Sequence, residues 1–299
     1  MESLLFTGGT GFLGANVKPI LDRWYNVTTI GITDRDMLKA NFAKETPVLP
    51  VHYDIVLHAA GKAHVYPKTE AERQAFFDIN YTGTIHLCEA LEKVGVPRAF
   101  IFISTAAVYG EELAENIPES APLVGKTPYA LSKLKAEEYL SEWCGKNGVK
   151  LGILRPSLLV GPNAPGNLGA MVKGIQKGYY FNIAGGEAHK SFLMAVDIGN
   201  IVPLIVEKGG VFNVCDTRQP TYGEISASVA RQLGKGKPLS IPYWLANCVA
   251  KIGDIVGGKF PLDSNKLHKM VTSSTLSNEK IKHELGWEPL DVLDNYKIK

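Results

Sequence analysis

The chain alternates short runs of consecutive apolar residues with longer stretches of helical periodicity. Ser3–Thr7, Asn26–Ile32, Tyr53–Ala59, Ala99–Ser104 and Lys150–Leu154 read as strands. Their apolar residues follow one another without polar alternation, as in Ile55-Val56-Leu57. Strands of that kind are covered on both faces, which predicts a parallel sheet between two helical layers. Phe12–Trp24, Glu70–Val94 and Tyr129–Lys146 carry the apolar spacing of helices. This strand–helix–strand rhythm predicts a doubly wound, Rossmann-like α/β fold.

Beyond Pro162 the rhythm loosens. Gly161-Pro162, Pro165-Gly166, Gly185-Gly186 and Gly209-Gly210 punctuate shorter elements, with a helix over Tyr222–Leu233. The expected organisation is a dinucleotide-binding domain over residues 1–161 and a smaller α/β substrate-binding region over 162–299. Val196–Val206 again reads as a core segment, so the stretch around 190–210 is expected to return to the first domain.

The length of 299 residues allows one large or two modest domains. Hydrophobic residues make up 45% and charged residues 21%, the balance of an ordinary globular protein. A net charge of +2 gives no electrostatic reason to expect nucleic acid or an anionic membrane as partner. Cys88, Cys144, Cys215 and Cys248 show no C-x-x-C spacing, so they read as buried thiols in a reducing compartment rather than a zinc or dithiol site. The first residues have neither a basic region nor a long apolar run, unlike a secretory signal. Asn247, Lys251 and Asp254 interrupt the apolar stretch Ile241–Val256, which reads as an amphipathic surface or dimer helix and not as a membrane span. The expected location is the cytoplasm.

Chemistry enters at Thr7-Gly8-Gly9-Thr10-Gly11-Phe12-Leu13-Gly14, between the first strand and the first helix. Gly8 permits a tight turn, Gly11 a close backbone approach to a pyrophosphate, and Gly14 close packing of helix on strand. The first helical N–H groups, at Phe12 and Leu13, then point at the phosphates. An acidic residue about 20 positions on usually holds the adenosine ribose. Asp34 stands there, with Arg35 beside it. Asp34 on a ribose hydroxyl would favour NAD, and Arg35 on a 2′-phosphate would favour NADP. Both cofactors stay open.

Tyr129-Ala130-Leu131-Ser132-Lys133 sets a tyrosine and a lysine four residues apart on one helical face. A neighbouring ammonium favours the phenolate, so the tyrosine pKa is expected to fall towards neutrality. Ser104-Thr105-Ala106-Ala107-Val108-Tyr109-Gly110 follows a strand and brings hydroxyls to the carboxyl end of the sheet.

With these motifs in this order, the chain resembles the extended short-chain dehydrogenase/reductases, in particular the NAD-dependent epimerase/dehydratase family acting on nucleotide sugars. Leu57-His58-Ala59-Ala60-Gly61, Asn80-Tyr81-Thr82-Gly83-Thr84, Leu154-Arg155-Pro156, Asp197, Phe212-Asn213-Val214 and Leu285-Gly286-Trp287 extend the resemblance over nearly the whole chain. It implies that Thr105 bonds the reacting sugar oxygen, Tyr129 is the acid/base, and Lys133 lowers the tyrosine pKa and holds the nicotinamide ribose. It further implies that Ala59, Ala60, Ser104 and Asn80 line the cofactor groove, that Pro156 lies near the nicotinamide, and that the enzyme is a homodimer through the helices near Glu70–Val94 and Tyr129–Lys146. His58 reads instead as a packed strand-end residue.

Three departures narrow the expectation. Ala106 and Ala107 replace the acidic pair of the family's dehydratases. Leu158 replaces an asparagine of many 4-epimerases. Lys190 stands where the family places a diphosphate-binding arginine. The leading expectation is a nucleotide-sugar epimerase or oxidoreductase. The alternatives are an NAD(P)H-dependent 4-keto-deoxysugar reductase, a reductase of a non-sugar ketone, and a non-catalytic NAD(P)-binding sensor.

Overall fold

The computed structural model describes residues 1–63, 65, 67–110, 114–257 and 262–298. In chain order its first half runs β1 (Ser3–Thr7), α1 (Phe12–Leu21), β2 (Asn26–Gly31), β3 (Leu38–Lys39), β4 (Ile55–His58), α2 (Glu70–Phe77), α3 (Gly83–Val94), β5 (Ala99–Ile103), α4 (Pro128–Asn147) and β6 (Lys150–Pro156). The second half holds β7 (Leu158–Val160), α5 (Gly166–Lys177), β8 (Asn182–Ile183), β9 (Phe192–Met194), α6 (Ala195–Lys208), β10 (Gly210–Val214), α7 (Tyr222–Gln232), β11 (Ser240–Ile241), α8 (Tyr243–Val256), α9 (Ser264–Val271), α10 (Glu279–Leu285) and α11 (Val292–Asn295).

Seven strands form one parallel sheet in the order β10-β6-β5-β4-β1-β2-β3. Side chains along β5 alternate between two cores. Ala99, Ile101 and Ile103 join the cluster beneath α1 and α6. Phe100 and Phe102 join the cluster beneath α3 and α4. All five are buried, which explains why the strand lacks a polar period. The strand order reverses between β1 and β4. The loops after these two strands therefore flank the crevice where ligands bind in doubly wound sheets.

Two elements differ from the sequence reading. β3 has only two residues, too few to give a pattern. The predicted helix Glu70–Val94 is interrupted by a π-turn at Asp78–Thr82, which carries the buried Asn80. Such single wide turns widen the helix locally and turn side chains that a regular α-helix would place elsewhere.

α6 packs beside α1 against the sheet, and β10 adds to it next to β6. The remaining elements gather around β7–β9 and β8–β11, two small parallel pairs. Asp197, at the start of α6, accepts from the amide of Leu290 at 3.0 Å and so pins the C-terminal segment. No helix among the described residues is long and apolar enough to cross a membrane. Cys88, Cys144 and Cys215 are buried, but Cys248 is exposed on α8, contrary to the expectation of four buried thiols.

Candidate active site

The loop after β1 is shaped by its glycines. Gly8 has φ +75°, and a Cβ there would lie 2.8 Å from the amide nitrogen of Ala60. A Cβ on Gly14 would collide with the carbonyl of Gly9. Gly11 differs: its φ is −77° and a Cβ would meet only Gly8 O at 3.4 Å. The protein's own packing therefore does not demand glycine at position 11. Gly11 is also the N-cap of α1, with no side-chain cap and no acidic residue in the first turn. The amides of Phe12 and Leu13 open an uncapped, positive helix end, the arrangement that suits a pyrophosphate.

At the next strand, Asp34 is not where the sequence placed it. Its side chain is 92% exposed and pairs with Lys39. β2 ends at Gly31, and the turn Thr33–Asp36 folds back so that Asp36, not Asp34, reaches the phosphate loop. Asp36 Oδ2 accepts from Thr10 Oγ1 at 3.2 Å and Thr33 Oγ1 at 2.8 Å. Arg35 Nη2 donates to Thr10 O at 3.2 Å. Asp36 lies only two positions beyond Asp34, and the turn decides between them.

Thr7 Oγ1 accepts from the amides of Ala59 and Ala60, at 3.1 and 3.0 Å. Its single proton is then left for His58 Nδ1, 2.7 Å away. This fixes the tautomer: Nε2–H of His58 donates to Thr84 Oγ1 (2.9 Å), which donates to Asn80 O (2.7 Å). Burial pushes the His58 pKa down to about 3, aided by Lys133, so the ring is neutral. His58 is thus a relay between two loops rather than a ligand. Asn80 continues it: Oδ1 accepts from Lys62 N at 2.7 Å and Nδ2 donates to Ser132 Oγ at 2.9 Å. A Cβ on Gly61 would sit 3.0 Å from Asn80 Oδ1 and 3.3 Å from Lys133 Nζ. Ala59, Ala60 and Asn80 are thereby held beside Lys133.

Thr105, the N-cap of a short 3₁₀ turn over Ala106–Tyr109, accepts from Ala107 N at 3.2 Å. Pro128 at N1 and Thr127 as N-cap start α4, so Tyr129 enters the first turn. Phe76 packs against the Tyr129 ring. Burial raises the Tyr129 pKa, and the neighbouring Thr105 side chain opposes this. The expected depression by Lys133 is absent. Lys133 is buried, donates to Ile103 O at 2.8 Å and lies over the Phe102 ring. Burial brings its own pKa down to about 8, opposed by the Glu137 carboxylate.

Ser104 is buried at the end of β5, and its hydroxyl donates to Glu137. Glu137 and Arg155, both buried, form a two-pronged ion pair with bonds of 2.6 and 3.2 Å. Arg155 also donates to Tyr109 OH, which donates to Asn213. This network ties α4 to β6 and β10 directly behind Lys133. The sequence reading missed Glu137, although its spacing one turn past Lys133 was visible.

Pro156 ends β6, buried beside Val214 of β10. Among the described residues only two buried side-chain oxygens have no hydrogen-bond partner: Asp36 Oδ1 and Ser157 Oγ. One follows β2 and the other follows Pro156, on opposite sides of the crevice along the carboxyl edge of the sheet. Unpaired buried polar atoms are costly. Their positions suit the two ends of an extended ligand with polar groups at each, as a dinucleotide has. Lys190 stands two residues before Phe192, whose strand partner Leu158 is two residues beyond Pro156. It is buried, no carboxylate among the described residues pairs with it, and burial together with Lys269 brings its pKa down to about 8.

Residues 4–215 match the NAD dependent epimerase/dehydratase family. The chain belongs to this family. Its cofactor is accordingly a nicotinamide dinucleotide, NAD or NADP, and the residues just described fit one. This family member is 27% identical to the UDP-glucose 4-epimerase of Vibrio cholerae, over 98% of this chain and 92% of the relative. It is also 27% identical to a GDP-6-deoxy-D-mannose reductase of Pseudomonas aeruginosa, over 75% of this chain and 78% of the relative. Its fold superposes on a UDP-glucose 4-epimerase from Thermotoga maritima, solved with UDP-glucose, at a TM-score of 0.76, covering 99% of this chain and 96% of that one at 24% identity.

Proposed function

We propose that the chain is a nucleotide-sugar epimerase or oxidoreductase working at a hydroxyl or ketone carbon of the sugar, with Tyr129 as acid/base. The observation that carries this reading is the convergence at the carboxyl end of β5 of the Thr105 side chain, the Tyr129 phenol in the first turn of α4 and, one helical turn on, the buried Lys133. When bound, the nicotinamide supplies hydride exchange with the sugar carbon. The chain's own residues supply the rest. The Thr105 hydroxyl holds the reacting oxygen beside the phenol. Tyr129 Oη gives a proton to a ketone oxygen or takes one from a hydroxyl. Burial keeps the phenol protonated. Lys133 favours the phenolate whenever its ammonium comes within reach of the ring oxygen.

Phe12, Leu13 and Gly11 hold the pyrophosphate, and Asp36 with Arg35 meets the adenosine ribose. Ala59, Ala60, Asn80 and Pro156 form the nicotinamide end, together with Ser157. Lys190 binds the substrate diphosphate: a buried ammonium without a carboxylate gains most from an arriving anion. Ala106 and Ala107 follow Thr105 in the 3₁₀ turn and offer no acid for a leaving hydroxyl, so dehydration is not part of the proposal.

A 4-keto-sugar reductase is the second reading, favoured by Leu158 in place of asparagine. Denaturing freshly purified protein and analysing the released small molecules separates the two. Stoichiometric NAD identifies an epimerase that recycles its hydride. An empty site that takes up NAD(P)H and oxidises it against a 4-keto nucleotide sugar identifies the reductase. A protein that binds UDP-sugars and GDP-sugars no better than free ribose overturns both.

A further inference from the structure

α8 is amphipathic in the reverse sense. Its buried stripe is made of small residues, Ala246, Ala250 and Gly253, which lie on Ile183 and Leu267. Its large apolar side chains point outward, with Trp244 67% and Ile255 87% exposed and Leu245, Ile252 and Val256 beside them. A helix of a globular protein ordinarily turns such residues to the core. Among the described residues, seven of the 22 exposed large hydrophobics fall between Leu239 and Val256. Phe181, also exposed, adjoins them through the bond from Asn182 N to Leu239 O. A contiguous apolar surface of this kind marks an interaction site.

The charge distribution says which partner it suits. Residues 235–256 hold three lysines and one aspartate, a formal +2. The whole chain carries +2, so the remaining residues sum to zero. Lys235, Lys237 and Lys251 are exposed at or beside the patch. Asp254 is engaged, accepting from the amide and the hydroxyl of Ser264. A second copy meeting this face through a two-fold axis would set the same lysines against each other. An anionic lipid surface accepts the lysines and the apolar residues together. Tyr243 and Trp244 open the helix, and such rings favour the headgroup level. A 14-residue helix is about 21 Å long, suited to lying in the interface and not to crossing it.

We infer that α8 and its lysine-rich flanks dock the protein peripherally on an anionic lipid bilayer, with Trp244, Ile252 and Ile255 entering the headgroup–acyl boundary. The small net charge of the whole chain conceals this local asymmetry.

The test uses the full chain and vesicles of phosphatidylcholine, alone or mixed with phosphatidylglycerol. The wild type should co-sediment with the mixed vesicles, less with the neutral ones, and less again in high salt. A W244E/I255E variant should partition roughly tenfold less or weaker still. Its melting temperature and cofactor binding should be unchanged, because both side chains are exposed. Trp24→Glu, an exposed tryptophan elsewhere, should leave partitioning as it was. A second readout does not need the double variant: mixed vesicles should blue-shift the tryptophan emission of the wild type but not of Trp244→Phe. The inference is overturned if the wild type stays in solution with mixed vesicles, or if W244E/I255E sediments like it. It is equally overturned if Trp244→Phe keeps the full blue shift, or if the same residues prove to hold a dimer that ignores vesicles.

Discussion

Lys133 donates its ammonium to the carbonyl oxygen of Ile103, at 2.8 Å, rather than to the phenol of Tyr129 four residues earlier. The ammonium lies over the Phe102 ring, and the Glu137 carboxylate opposes the burial that brings its pKa down to about 8. The lysine thus lies beside Asn80 and Gly61, at the carboxyl ends of β4 and β5. The Tyr129 phenol meanwhile has the Thr105 side chain beside it, and burial holds its pKa up. The two residues sit in different environments, and each is tested separately.

Tyr129→Phe removes the proton carrier while keeping the ring against Phe76. Turnover should fall by about a hundredfold or more. NAD(P) affinity, read by fluorescence titration, should stay close to that of the wild type. Wild-type turnover in this variant would remove Tyr129 from its role.

Gly11 and Gly14 should separate binding from folding. A Cβ at Gly11 would meet only Gly8 O, at 3.4 Å, so Gly11→Val should melt close to the wild type yet lose the cofactor. Gly14→Ala drives a methyl into the Gly9 carbonyl and should destabilise by about 1–3 kcal/mol. Thermal melts with and without NAD(P) distinguish them. A Gly11→Val protein that keeps its affinity would contradict the phosphate-loop assignment.

Asp36→Asn keeps the shape of the side chain but removes the charge from the unpaired Oδ1. Cofactor affinity should drop about tenfold, equivalent to about 1.4 kcal/mol. Asp34→Asn, out in solvent beside Lys39, should change it by less than about twofold. Equal losses in the two variants would mean that the turn geometry does not decide the contact.

His58 makes stability pH-dependent. Its folded pKa, about 3, lies below the unfolded value of 6.5, so the unfolded chain binds the extra proton between them. The contribution is fully present above pH 6.5 and is lost as the pH falls towards 3, at about 1.4 kcal/mol per unit. Asp197, raised to about 6 mainly by burial, works in the opposite sense, so one curve alone is not diagnostic. Urea unfolding of the wild type and of His58→Gln at several pH values isolates the slope. Glutamine can accept from Thr7 and donate to Thr84 without titrating. Parallel curves would show that His58 does not carry the effect.

Much of this protein follows from local pattern. The uninterrupted apolar runs of β1, β4 and β5 specify a doubly covered parallel sheet, because neither face can meet water. The glycine spacing after β1 and the Tyr129–Lys133 interval are short-range features, set by one turn and one helix. Both therefore declare themselves along the chain. What separates Asp36 from Asp34 is the direction in which one four-residue turn folds back on Thr10, and the sequence carries both carboxylates within the same interval. Ser104 reads as a groove hydroxyl until Glu137, 33 positions on in α4, claims it. The Tyr129 pKa likewise depends on where the Lys133 ammonium finds a carbonyl, a contact across 30 positions. Spacing along the chain determined which groups arrive at the carboxyl edge of the sheet. Hydrogen bonds between residues distant in sequence, which periodicity does not encode, decided which of those groups remain available to a ligand.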